Sequence, residues 1–543
     1  MPGIRALLLT ALPAALSVAL VAPASALDVT RLRQIDGPAA NGQFGFGVAM
    51  VGDMDGDGFA DYAIAAPADP AGGPGAGRVF IYRGGPAHAS EGPAWVITGQ
   101  SGDLLGSALA SAGDLDGDGY ADLLIGAPAG TTAAPLLPGR VLIVYGGPVF
   151  GARAPVMLTG PAARSRFGAS LVALGAYQGS NDLAIGAPQA SNDAGLVEIF
   201  HGGPAPSVPF EILHGRFAGD EFGTAVAAAG RMRGGAFADL AVGAPFNSDA
   251  AVWAGKAYLY LGGAAPDTTP ARAYAGAHAG DLLGQSVAGA GDLDGDGRDD
   301  LVIGAPGAEV GALIDAGRAY VVLGAATPAV AASITLSGRH ANDEFGLSVA
   351  GIGDVDGDGR PDLAVGAPNA ADTLSAGEVD VFRGRALLSA TPDTVLAGEA
   401  RADMFGHTVS NGGRVDAGTH ALFLAGATEH GSGGRATLIG AAGATASIGP
   451  AAAGRLALAA PWPMPARLSA RIGFTLPRRG EARCEVVDAT GRLMAVVVSG
   501  DLAAGEHTYA WPAPGTPAPP GVYWVTLRSG TRRLSRSLVL LGP

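Results

Sequence analysis

One cysteine in 543 residues, Cys484, leaves no partner for an internal disulfide. It sits in an apolar strand-like stretch, ARCEVVDA, and reads as a small core residue. Lysine is almost missing as well: Lys256 is the only one, and arginine carries the remaining side-chain positive charge. The net charge of −15 comes with no basic cluster, which argues against nucleic acid as a partner. Five tryptophans (Trp95, Trp253, Trp462, Trp511, Trp524) are too dispersed for a sugar-stacking series. No amphipathic helical stretch of useful length occurs. Past the first 22 residues, no apolar run is long enough to span a bilayer. HExxH, GxSxG and phosphate-cradling loops are all missing, and the nine histidines are scattered. His214, His278 and His340 fall in related loops and read as solvent-exposed loop residues. No convergent acid, base and nucleophile set appears, so the chain reads as a non-enzyme.

What the chain does have is glycine, 88 residues of it, and an acidic loop in four copies. The copies are DMDGDGFAD from Asp53, DLDGDGYAD from Asp114, DLDGDGRDD from Asp292 and DVDGDGRPD from Asp354. Each has Asp at loop positions 1, 3, 5 and 9: Asp53, Asp55, Asp57, Asp61; Asp114, Asp116, Asp118, Asp122; Asp292, Asp294, Asp296, Asp300; Asp354, Asp356, Asp358, Asp362. Calcium takes six to eight oxygens, and alternate residues of a tight loop can turn carboxylates inward. Glycine at position 6 permits the sharp turn. Position 7 (Phe59, Tyr120, Arg298, Arg360) varies in type, as expected of a residue that ligates through its backbone carbonyl. About four calcium ions are expected. The loops are not EF-hands, because position 12 is Ile64, Ile125, Ile303 or Val365 rather than Glu. The alternative is an acidic glycine-rich turn without metal. Ion-free carboxylates about 4 Å apart would repel by roughly 4 kcal/mol per pair at an effective dielectric near 20. The metal-free loops are therefore expected to splay.

The loops lie inside a longer repeat. Seven units open at Phe44, Leu105, Phe167, Phe222, Leu283, Phe345 and Phe405, spaced by 61, 62, 55, 61, 62 and 60 residues. Each continues through the loop region into an apolar strand such as LVIGAP, then a strand such as GRVFIYRGG, then a short strand ending in Gly. About four short strands per unit, bounded by Gly and Pro, predict an all-β fold and a seven-bladed β-propeller. A linear solenoid is the alternative, but it would need atypical terminal repeats. Repeats three, four and seven (GAYQGSND, GRMRGGAFAD, GRVDAGTHAL) lack the Asp quartet, and no metal is expected there.

The FG opening, the DxDxDG loop and the GAP closing resemble the FG-GAP repeat of the N-terminal propeller of integrin α subunits. The resemblance covers residues 27–440. It implies a calcium-binding propeller, with the calcium ligands at the Asp quartets named above, and a role in adhesion. Residues 1–26 read as a signal peptide: Arg5, an apolar run from Ala6 to Ala22, and Ala24 and Ala26 at a cleavage site. An uncleaved anchor is the alternative. Residues 441–460 read as a linker or last propeller edge. Residues 461–543 hold six or seven short alternating strands, as in a small Ig-like β-sandwich. FTLP from Phe474, VVDATGR from Val486, AGEH from Ala504, Trp511 and GVYWVTL from Gly521 resemble a FlgD-type Ig-like domain, also read as a type IX secretion sorting domain. That resemblance implies contact with secretion machinery; a plain spacer is the alternative.

The function expected from this reading is that of a secreted or bacterial cell-surface protein that binds an extracellular protein or glycan. Two other readings stay open: a surface-polymer hydrolase or lyase on a propeller scaffold, and a structural coat component.

Overall fold

A computed structural model describes residues 29–85, 92–129, 137–178, 181–265, 268–329, 331–370, 376–413, 420–441, 457–458, 470–476, 480–488, 492–502, 505–512, 518–529 and 532–540. The expected leader, residues 1–26, lies outside them, as do residues 442–456 and 459–469.

The first blade follows directly from its sequence. Strands Gly47–Gly52, Asp61–Ala66, Arg78–Tyr82 and Trp95–Thr98 pair antiparallel in chain order. The same order recurs from Ala108, Ser170, Ala225, Ser286 and Ser348. The second strand of each blade is the apolar run before GAP. In Asp300–Ala305 and Asp362–Ala367 every residue is buried, as expected of a strand covered on both faces.

The seventh sheet closes the ring with chain from both ends of the propeller. Phe405–Val409, Phe423–Ala427 and Arg435–Ala441 form its inner three strands. Its outer strand is Val29–Asp36, antiparallel to Arg435–Ala441. Among the described residues there are thus seven four-stranded antiparallel sheets in the propeller.

Packing confirms a ring. Seven buried apolar clusters each join two neighbouring blades. One of them unites Phe44, Tyr62 and Phe80 of the first blade with Leu422, Leu424 and Leu438 of the seventh. Burying each such large side chain contributes about 1.5–3 kcal/mol. Near the axis the first strands approach so closely that only small residues fit. A methyl group on Gly289 would lie 2.2 Å from the Ala228 carbonyl oxygen, and one on Gly351 would lie 2.7 Å from that of Gly289.

The FG and GAP elements interlock successive blades. Phe345 is buried between the fifth and sixth blades. Gly346 follows at φ +89, and its amide bonds the Gly366 carbonyl at 3.0 Å. Gly366, the GAP glycine, lies against the Gly406 carbonyl of the next blade, where a methyl group would be at 2.0 Å.

The C-terminal part forms two further sheets. Ala457–Leu458, Ala470–Leu476 and Gly505–Trp511 make one of three strands; Leu493–Leu502, Gly480–Asp488, Gly521–Ser529 and Arg532–Leu540 make one of four. They share a core of Ile472, Phe474, Val486, Trp511, Val525 and Leu538. Cys484 lies in that core, and burial pushes its thiol up to about 12, so it is inert. Ala441 ends the last propeller strand, and Leu458 already pairs with Phe474.

Candidate metal centres

Each acidic loop joins the first and second strands of its blade. A β-bulge near the end of the first strand, between Met50 and Gly52 in blade one, turns the chain into the loop. Equivalent register shifts precede the loops at Asp114, Asp292 and Asp354. The position 6 glycines (Gly58, Gly119, Gly297, Gly359) all lie at φ +88 to +93, which other residues rarely adopt.

The position 1 aspartate organises the loop. Asp53 Oδ1 accepts the amides of Gly56 and Asp57, and its Oδ2 accepts that of Gly58. Asp114, Asp292 and Asp354 repeat the pattern, with all these bonds at 2.6–3.0 Å. Position 3 accepts the amide of position 5, as in Asp55 to Asp57 at 3.2 Å. Position 5 accepts the amide of position 7, so Phe59, Tyr120, Arg298 and Arg360 are tied to Asp57, Asp118, Asp296 and Asp358 at 2.9–3.0 Å.

Position 9 is buried beneath the loop. Asp61, Asp122, Asp300 and Asp362 have no measurable exposure. Each accepts an amide from loop position 2 (Met54, Leu115, Leu293, Val355) and one from the glycine that follows the third strand (Gly84, Gly146, Gly324, Gly384), at 2.8–3.0 Å. Burial pushes Asp61, Asp300 and Asp362 up to about 7 and Asp122 up to about 6, against the pull of those amides.

Three carboxylates per loop offer oxygens within 4.8 Å of one another: Asp53, Asp55, Asp57; Asp114, Asp116, Asp122; Asp292, Asp294, Asp300; Asp354, Asp356, Asp362. Such an all-oxygen, anionic donor set suits a hard divalent cation. The sequence reading expected four converging carboxylates in each loop. The fourth carboxylate is Asp61 in the first loop and Asp118, Asp296 and Asp358 in the others; like its neighbours, each also accepts backbone amides.

Two features escaped the sequence reading. The first is that the buried position 9 aspartate is not tied to a calcium loop. Repeats three and four keep it as Asp182 and Asp239, both fully buried. There a histidine or arginine faces it: His201 Nδ1 lies 2.8 Å from Asp182, and Arg233 lies 3.3 Å from Asp239. The repeat signal was present, since both residues precede LAIGAP or LAVGAP as their counterparts do. In repeat seven Leu422 takes the place. The second feature is a set of arginines on position 3. Arg83 reaches Asp55, Arg153 reaches Asp116 and Arg383 reaches Asp356. These pairs and the amide bonds offset the repulsion expected to splay the loops. The histidines read as exposed loop residues include His278 and His340, which are largely exposed beside Asp281 and Asp343.

A pH dependence follows. In the ion-free chain the position 9 groups titrate near 6–7 when folded and near 3.9 when unfolded. The folded chain therefore binds more protons than the unfolded one between about pH 4 and 7. Its stability from these groups falls as pH rises through that window. A divalent cation held by these carboxylates would need their ionised form, so its effect would have the opposite sign. The rise in melting temperature on adding calcium is expected to be large at pH 8 and to shrink towards zero at pH 5. Calorimetric melts across that range test this; an increment that does not change with pH would refute it.

The geometry defines a seven-bladed propeller with acidic, cation-type loops in four blades. Comparison with known proteins agrees. The FG-GAP repeat model matches residues 105–142, 283–322 and 345–382. Rat integrin alpha-7 is 37% identical over 108 residues, 20% of this chain and 9% of that protein. Integrin alpha-5 of Xenopus laevis is 34% identical over 163 residues, 28% of this chain and 15% of that protein. Integrin alpha-PS2 of Drosophila melanogaster is 36% identical over 166 residues, 28% of this chain and 12% of that protein. The chain thus spans only a small part of these relatives' length. Among solved structures, a fungal alcohol oxidase of the AA5 family in complex with copper matches 94% of this chain and 99% of its own at 11% identity, with a TM-score of 0.41. The chain carries FG-GAP repeats and is distantly homologous to integrin alpha subunits.

Proposed function

We propose that this is an exported, calcium-binding adhesion protein whose propeller binds an extracellular protein or glycan. The observation that carries the reading is the FG-GAP propeller shared with integrin alpha subunits. Calcium would be held by the Asp quartets, with the position 7 carbonyls as further ligands. Its role is to brace the loops, not to react.

The antiparallel blades put the acidic loops and the third-to-fourth strand turns at one end of the ring. The FG segments and the second-to-third strand turns lie at the other, and that end is the proposed ligand face. It displays Trp253, Val252, Phe217 and Ile314 to solvent. Trp253 is held at φ +54, a conformation a bulky residue adopts only under constraint. The same end holds an open cleft of about 630 Å3 lined by Asn342, Asn369, Arg401, Met404 and Glu429.

Export rests on the apolar leader, residues 1–26. Passage across or attachment to an outer membrane is assigned to the C-terminal sandwich, on its sequence resemblance to sorting domains. The test is a binding screen of residues 27–543 against matrix-protein and glycan arrays, with calcium and with chelator. Saturable hits lost on chelation are expected. A folded protein with no hits in either condition would sink the adhesion reading for those ligand classes.

A further inference from the structure

The four acidic loops are not equivalent, and the difference lies on position 3. In each loop its Oδ1 accepts the position 5 amide, at 3.1–3.3 Å. In three loops its Oδ2 is taken by a guanidinium. Arg83 Nε lies 2.6 Å from Asp55 Oδ2, and Arg383 Nε lies 3.0 Å from Asp356 Oδ2. Arg153 pairs with Asp116 Oδ2. The second oxygen of each of these aspartates thus faces a guanidinium, hydrogen-bonded in the Arg153 pair and at ion-pair distance in the other two. A cation entering the loop has to displace or share with the arginine.

The arginines are positioned by the blade. Arg83 and Arg383 immediately precede Gly84 and Gly384, whose amides bond the buried Asp61 and Asp362. In the second blade that place belongs to Tyr145. Arg153 instead lies over the Tyr145 ring, 3.5 Å from its centroid, and also donates to the Pro204 carbonyl. In the fifth blade the same place belongs to Leu323, before Gly324. Among the described residues, no cationic group pairs with the Asp294 carboxylate. Two arginines do come near that loop. Arg298 pairs with Asp296 at position 5, and Arg360 donates to the Asp294 backbone carbonyl. Neither pairs with the carboxylate of Asp292, Asp294 or Asp300, so the three converging carboxylates of this loop face backbone amides but no guanidinium.

We propose that Arg83, Arg153 and Arg383 are internal competitors for the cation, and that the Asp292–Asp300 loop is the one high-affinity calcium site, filled before the other three. This rests on the calcium reading of the loops. It yields a graded response: one ion bound at low calcium, and three more only as calcium rises and the arginines are released. Each arginine then becomes free at the loop end of the ring in a calcium-dependent way.

Calorimetric titration of residues 27–543 with calcium, after chelation and dialysis, tests this. One tight site and three weaker ones are expected, with the tight phase lost in Asp294→Asn. Arg83→Leu and Arg383→Leu, which copy the fifth blade, should each tighten one weak site roughly fivefold to tenfold, the scale of a half-exposed charged pair. Leu323→Arg should weaken the tight site by a similar factor. Arg83→Gln serves if the leucine variant does not fold. Four sites of equal affinity in the parent chain overturn the proposal while leaving the calcium reading intact. So does unchanged or weaker binding in the arginine variants. No calcium binding at all overturns both.

Discussion

Replacing Asp362 by alanine is expected to lower propeller stability by about 2–5 kcal/mol, whether or not calcium is present. The side chain is fully buried and accepts the Val355 amide at 2.9 Å and the Gly384 amide at 3.0 Å. Alanine leaves both donors buried without a partner, at about 1–3 kcal/mol each. One effect runs the other way: burial holds this carboxyl up to about 7, so its ionised form is costly at neutral pH without metal. Removing the charge recovers part of that cost, which is why the lower end of the range applies in chelator. If Asp362 also ligates calcium, as proposed, the variant loses that ligand too and the upper end applies with calcium.

Asp239 supplies the control. It occupies the same buried place in the fourth blade and accepts the Gly262 amide at 3.0 Å, but its loop reads GRMRGGAFAD and faces it with Arg233. Asp239→Ala is expected to destabilise by the same amount in calcium and in chelator. Denaturant titrations of both variants in both conditions separate the roles. If Asp362→Ala were neutral in chelator, the position 9 aspartate would be a ligand only and not a structural brace.

The legible and illegible parts of this chain divide by distance along it. The strands and the blade count were readable because each depends on residues within one repeat, such as Phe345, Gly346 and the GAP segment that ends at Pro368. The Asp quartets were readable for the same reason: Asp354, Asp356 and Asp362 are neighbours in a nine-residue loop. The arginines on three of the position 3 aspartates were not, because Arg153, for example, lies 37 residues beyond Asp116 and no spacing rule links them. Nor was the role of position 9. In sequence Asp362 looks like one more metal ligand, and only the Gly384 amide shows it to be a brace. Asp182 and Asp239 could have revealed this, since they persist where the rest of the quartet is gone. The closing strand was hidden most completely. Residues 29–36 precede the first repeat opening at Phe44, and their partners lie about 400 positions away.

Cutting that strand is the second large perturbation. A chain beginning at Gly37 is expected to melt roughly 10 °C lower and to self-associate. Val29–Asp36 makes seven register pairs with Arg435–Ala441. At about 1 kcal/mol net for each backbone bond lost, some 5 kcal/mol is at stake, and a propeller of this size loses about 2 °C per kcal/mol. The strand also ties three blades together. Asp36 pairs with Arg435 at 2.6 Å in the seventh blade, and Gln34 bonds Glu399 at 2.6 Å beside the sixth. Arg33 bonds the Tyr62 hydroxyl at 3.2 Å in the first. Without the strand, Arg435–Ala441 becomes an open edge with unpaired amides and carbonyls, a template for pairing with another chain. Adding a peptide of residues 29–36 in trans should restore part of the melting temperature and suppress association, because the vacated edge fixes its register. A truncated chain that melts as the parent does and stays monomeric would show that the ring is held by the seven inter-blade cores alone.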